Sequence, residues 1–173
     1  MEMGYRMAPS EKPVQTTTDG RYLIIEGRRW RASDPSIPAK LRQELVNELM
    51  SARRAVKQGE IGASKRVNNA KLALGERGQP WWEEPESDSM GERIRATIRS
   101  LLSHRANTSI CPSDVARIVG GADEGWRKYM GQVRQIAAAL AVQGEVVATQ
   151  NGEPVEADGV KGPIRIRRRH PGE

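Results

Sequence analysis

Phenylalanine is missing from this sequence altogether, and the aromatic residues come to only four Trp and three Tyr. A core without Phe must be assembled from Leu, Ile, Val and Ala, with Trp filling the few large gaps. A single Cys excludes an intramolecular disulfide framework, and with only two His no repeated metal-ligand spacing can be written. No stretch approaches the roughly 18 consecutive apolar residues of a membrane-spanning helix. The first twenty residues, MEMGYRMAPSEKPVQTTTDG, hold no continuous apolar segment of the kind a secretory leader needs. Carboxylates are scattered, and no Gly-rich phosphate loop or zinc spacing is present. These absences leave an enzyme, a cofactor, a bound metal and a membrane without support. The expected setting is soluble, reducing and cytoplasmic.

What is present is positive charge. The 173 residues carry 28 Lys and Arg against 22 Asp and Glu, a formal net charge of +6, with a sequence pI of about 9.8. That balance favours an anionic partner without specifying a fold. It is spread over both halves: residues 90–173 hold 13 basic against 9 acidic side chains, and residues 1–89 hold 15 against 13. A length of this order suits one domain or two small ones.

Residues 1–19 are polar and are expected to form a mobile tail. From Arg21, RYLIIEGRRWRAS reads as a β-hairpin turning near Gly27. Pro38 suits the first position of a helix that carries Leu41, Leu45, Leu49, Ala52 and Val56 on one face. KQGEIG interrupts, and a second helix places Ala63, Val67, Ala70 and Leu74 together. Residues 20–82 are thus expected to be a β-hairpin plus helical-hairpin module. The segment at 83–91, rich in Pro, Ser and acids, is expected to link it to the remainder. It ends in a capping-box spacing, Ser89 and Glu92.

Residues 92–170 follow a different order. Ile94, Ile98, Leu101 and Leu102 mark a helix, TSIC a short strand, and Pro112 opens a second helix with Asp114 in its first turn, where the macrodipole favours an anion. Asp123 is placed to cap a third helix with Trp126, Met130, Val133, Ala137 and Leu140 on one stripe. EVVATQ reads as a strand, Asn151–Gly152 as a tight hairpin turn, and PIRIRRR as a closing strand, with Ile164 and Ile166 facing one way and Arg165 and Arg167 the other. The predicted fold class is α+β: a winged helix (a helix-turn-helix elaborated by a β-hairpin) preceded by the smaller module.

Two resemblances follow from these residues. SICPSDVARIVG, with WRKYMGQVRQIAAALAVQGEVVATQNGEPV and KGPIRIRRR, resembles an uncharacterised bacterial domain-of-unknown-function family over residues 92–169, whose members look winged-helix-like. GRRWRASDPSIPAKLRQELVNELMSARRAV and AKLALGERGQPWW, within residues 21–82, resemble a second uncharacterised bacterial family that carries the label biopolymer transporter Tol. Neither resemblance implies a substrate or a catalytic residue. Gly131 departs from the first pattern, where Pro is expected after the Met, and implies a more flexible start to the third helix.

A winged helix with this charge points to double-stranded DNA, read by the third helix. Opposite its apolar stripe stand Lys128, Gln132 and Gln135, flanked by Arg127 and Arg134; such side chains pair with base edges or phosphates from a major groove. Arg165, Arg167 and Arg168 on the last strand are the expected backbone contacts. The opposing reading is an ordinary solvated face. It draws strength from residues 151–162, where Glu153, Glu156 and Asp158 outnumber Lys161 and would repel phosphate. The alternative function is a protein-interaction module, with the acidic loop and the pair Trp81 and Trp82 meeting a protein partner. Trp30, among Arg28, Arg29 and Arg31, either stacks on a base or packs the hairpin. Cys111 begins a helix, where a thiol pKa can fall, but a buried structural thiol is the simpler expectation.

Overall fold

The computed structural model describes residues 14–173, so the part of the expected tail at 1–13 lies outside the described residues. The fold is α+β: among the described residues there are five α-helices, one 3-10 helix and two small antiparallel sheets. The chain divides into two compact units, ending and beginning at Ala32 and Ser33.

The first unit is a three-stranded sheet. Strands β2 (Tyr22–Ile25) and β3 (Arg28–Arg31) pair with Ile25 opposite Arg28, which leaves a two-residue turn. Both turn residues, Glu26 and Gly27, have positive φ (50° and 74°), matching the right-handed twist of the strands. The expected tail contributes here: β1 (Gln15–Thr16) pairs with β2 as a third strand. The Arg29 guanidinium lies 4.2 Å from the centre of the Tyr22 ring. Trp30, opposite Leu23, remains 46 % exposed.

The second unit begins with α1 (Ala39–Lys57) and α2 (Ala63–Ala73). Leu41, Leu45, Leu49 and Ala52 of the expected face are buried, but Val56 is exposed and Ala55 takes the inward position. A stripe of i+4 steps drifts off a 3.6-residue period by the last turn. Buried among the apolar residues is Glu48, whose carboxylate accepts two bonds from the Arg66 guanidinium at 2.8 and 3.1 Å. Leu74, Gly75 and Trp81 then fold the chain over Asp34; a side chain at Gly75 would meet Trp81 at 3.1 Å. Trp81 and Trp82 pack edge to face, centroids 5.0 Å apart.

Helix α3 spans Ser87–His104, so the last part of the expected linker is helical and the capping box is not formed. Ser89 falls inside the first turn because the helix begins one turn earlier. There the Gln79 side chain holds the entering chain, donating to the Glu84 carbonyl at 2.8 Å and accepting from the Glu86 N–H at 2.9 Å. An ion pair between half-buried Arg93 and buried Asp34, at 2.8 Å, fixes α3 to the segment before α1. One apolar cluster runs from Ile37 through α1, α2 and α3 to Ile164 and Ile166, on both sides of residues 83–91.

Helix α4 is Pro112–Gly120. The expected third helix is divided: Glu124–Tyr129 is 3-10, and α5 runs from Met130 to Val142. Asp123 makes no side-chain cap bond. The 3-10 segment approaches α4 closely: a Cβ on Gly120 would sit 2.6 Å from the Trp126 backbone. At three residues per turn the 3-10 form sets Trp126 and Tyr129 on the same side, both packed on the core.

The second sheet has the order β5-β4-β6, from β4 (Val146–Gln150), β5 (Glu153–Pro154) and β6 (Arg165–Arg168). Asn151 and Gly152, with φ of 51° and 88°, make the expected tight turn. The expected TSIC strand is a single bridge: Ile110 exchanges backbone bonds with Ile166 at 2.7 and 2.9 Å, on the side of β6 away from β4. No helix among the described residues is long and apolar enough to cross a membrane.

Candidate nucleic-acid interface

The alternation of β6 decides where its arginines go. Ile164 and Ile166 are buried, so Arg165 and Arg167 point outward. Arg165 donates to the Ser109 hydroxyl at 2.9 Å and to the Ser109 carbonyl at 3.1 Å. Arg167 makes a two-pronged pair with Glu173 at 2.7 and 2.8 Å. Arg168 donates to the Ser103 hydroxyl at the end of α3, 2.6 Å away. Two of the three guanidiniums are therefore held by neutral groups that orient them without cancelling their charge.

Arg165 also borders a cleft of about 490 Å3 that it shares with Lys40 and Glu44 of α1, Arg105, and Asp114 and Arg117 of α4. Arg105 occupies both carboxylates at once, bonding Glu44 at 2.7 and 2.9 Å and Asp114 at 2.9 Å. These bonds hold the Glu44 carboxyl below the usual range for glutamate and push the Arg105 guanidinium further up. With the two acids already engaged, Lys40, Arg117 and Arg165 give the cleft a positive excess.

Arg117 carries that charge onward. Its guanidinium lies 4.8 Å from the centre of the Trp126 ring, and the Arg127 guanidinium lies 5.0 Å from the same ring. Arg127 also pairs with Glu124 at 2.7 Å, an exposed contact of small worth in water. Lys128 follows, its ammonium 5.0 Å from the Tyr129 ring centre. A basic track thus leads from β6 over α4 to the 3-10 helix.

Helix α5 itself contributes little charge. Gln135 is exposed and Gln132 half-buried. Arg134, its one basic residue, turns toward the loop between β5 and β6, donating to the carbonyls of Ala157 at 2.6 Å, Val160 at 2.7 Å and Gly162 at 3.1 Å. It fastens that loop to α5; Glu156 and Asp158 stand exposed on the loop, and Glu153 is exposed on β5.

Of the eight side chains expected from the sequence, the three on β6 are neighbours, and Arg127 joins them only through Arg117. Sequence reasoning missed Arg117 and Lys40. Arg117 had a signal: it is the lone charged residue in the ARIVG stretch that closes α4, at an exposed position between apolar neighbours that are all buried. Cys111 is half-buried, its sulfur accepting a bond from the Ser113 hydroxyl at 2.9 Å. Among the described residues no three His, Cys, Asp or Glu side chains converge as a metal site requires.

Residues 91–169 match a family described as a protein of unknown function (DUF3253). The match covers the segment for which such a family was expected and does not reach residues 21–82, where the Tol-labelled resemblance lay. No curated protein matches the chain.

Proposed function

We propose that this protein binds double-stranded DNA, its second unit acting as a winged helix that grips the phosphate backbone along the basic track. The observation that carries this reading is Arg117, which shares a cleft with Arg165 and an aromatic ring with Arg127. It supports one contact surface where the sequence had suggested separate strand and helix groups. The element order adds support: α3, the Ile110 bridge, α4, the 3-10 helix with α5, then β4, β5 and β6, with β6 between β4 and Ile110. In that arrangement Lys128, Gln132 and Gln135 are the groups available to base edges, and Arg165, Arg117 and Arg127 the groups available to phosphates. Arg134 acts at one remove, by shaping the loop.

With Lys40 of the shared cleft as a fourth group, neutralising about four phosphates gives a log–log salt slope of roughly −3.6. A fourfold rise in salt then weakens binding on the order of a hundred-fold. Fluorescence anisotropy with a labelled random duplex at two salt concentrations measures it. Arg117→Ala is expected to weaken binding and to make the slope shallower by about one unit.

A protein partner is the second reading. It is favoured by the exposed acids of the β5–β6 loop and by Val142, 90 % exposed at the end of α5. Absence of duplex binding at low salt, with Arg117→Ala silent, turns the choice to that reading.

A further inference from the structure

Arg165 borders a second cleft, of about 370 Å3, which it shares with Arg167, Arg168, His170 and the turn at 106–109. None of the residues lining it is acidic. Asn107, Thr108, Ser109 and Thr149 add neutral donors to the lining that Arg165, Arg167 and Arg168 share.

One anion already touches this group. The Glu173 carboxylate accepts one bond on each oxygen from Arg167, and the His170 N–H donates a third at 3.0 Å. A guanidinium fork closed by a backbone N–H is the donor set that a pair of phosphate oxygens accepts. The carboxylate is itself exposed. An exposed ion pair of this kind is worth little in water, so an anion with more charge and more acceptor oxygens displaces it.

We propose that this cleft is a phosphate-binding site in which Glu173 competes from the same chain. The inference deepens the nucleic-acid reading and rests on it only for where the phosphate comes from: the backbone of a nucleic acid, or a free phosphate compound. The Glu173 carboxyl is held down to about 2, first by the Arg167 bonds and then by the His170 N–H, so the competing charge is present throughout the neutral range.

Pyrophosphate is the probe. Isothermal titration of the full chain at low salt is compared with Glu173→Gln and Arg167→Ala, each shown by circular dichroism to be folded. Removing the competitor is expected to tighten binding about five-fold, the factor that corresponds to one surface ion pair. Removing the fork is expected to weaken it at least about ten-fold, as loss of a charge-assisted bidentate contact does. Equal binding by all three proteins, or none by any, overturns the proposal.

A second arm adds a labelled duplex. Displacement of the duplex by pyrophosphate assigns the site to a nucleic-acid backbone, whereas simultaneous binding assigns it to a free phosphate compound. If pyrophosphate binds with the expected variant pattern and duplex never does, the DNA reading fails while the site stands.

Discussion

Single guanidiniums organise much of this molecule, and their surroundings separate their tasks. Half-buried Arg93 divides its donors between the buried Asp34 carboxylate and the Ala73 carbonyl. Arg105 divides its donors between two carboxylates. Arg165 and Arg168 are steadied by serines and keep their charge available. Arg134 is expected from the sequence to contact DNA because it flanks the helical face opposite the apolar stripe. Its partners are three carbonyls twenty-three to twenty-eight residues further on, a pairing that no periodicity encodes. Arg134→Ala is expected to cost about 2 kcal/mol, the scale of bonds to a charged donor. Hydrogen exchange should quicken across residues 155–163 while the salt slope for duplex stays as it was. A slope made shallower by one unit would return Arg134 to the interface.

Among the elements, the corner between α4 and α5 was the least legible. Periodicity located the stripe from Trp126 to Leu140 but treated it as one helix, because the four-residue step from Trp126 to Met130 is itself an α-helical spacing. The close approach at this corner, between Gly120 and the Trp126 backbone, is spatial and leaves no periodic trace in the sequence. Tight turns, by contrast, were plain: Glu26–Gly27 and Asn151–Gly152 sit where left-handed backbone is needed. Two glycines give opposite expectations. Gly120→Ala should destabilise by about 1–3 kcal/mol, since its neighbour is backbone and has little freedom to yield. Gly131, in the first turn of α5 with open space around it, should gain about 0.5–1 kcal/mol on replacement by Ala. Urea midpoints of the two variants test the pair.

At the scale of the whole molecule, the helical hairpin and the later segment share one apolar cluster, although the composition of residues 83–91 reads as a break. Composition registers the surface of a segment, while continuity of a core depends on which faces meet. Acid should loosen this unit in a defined window. The Glu44 and Glu145 carboxyls lie below their ordinary value of 4.5 because Arg105 and Arg99 bond their charged forms. A depressed folded value means that the contribution is complete above about pH 4.5 and is lost as pH falls through the folded value. The drop in urea midpoint between about pH 6 and pH 3 should be smaller in Glu44→Gln than in the unchanged protein. An equal drop in both would remove Glu44 from the account. The indole of Trp126, with two guanidiniums at 4.8 and 5.0 Å from its ring centre, has an optical consequence. Any anion that draws Arg117 or Arg127 off the ring alters the field at the chromophore, and emission shifts without a dye. Trp30, Trp81 and Trp82 contribute a constant background, which a Trp126→Phe protein supplies for subtraction. The chain therefore carries its own indicator on the surface proposed here for DNA.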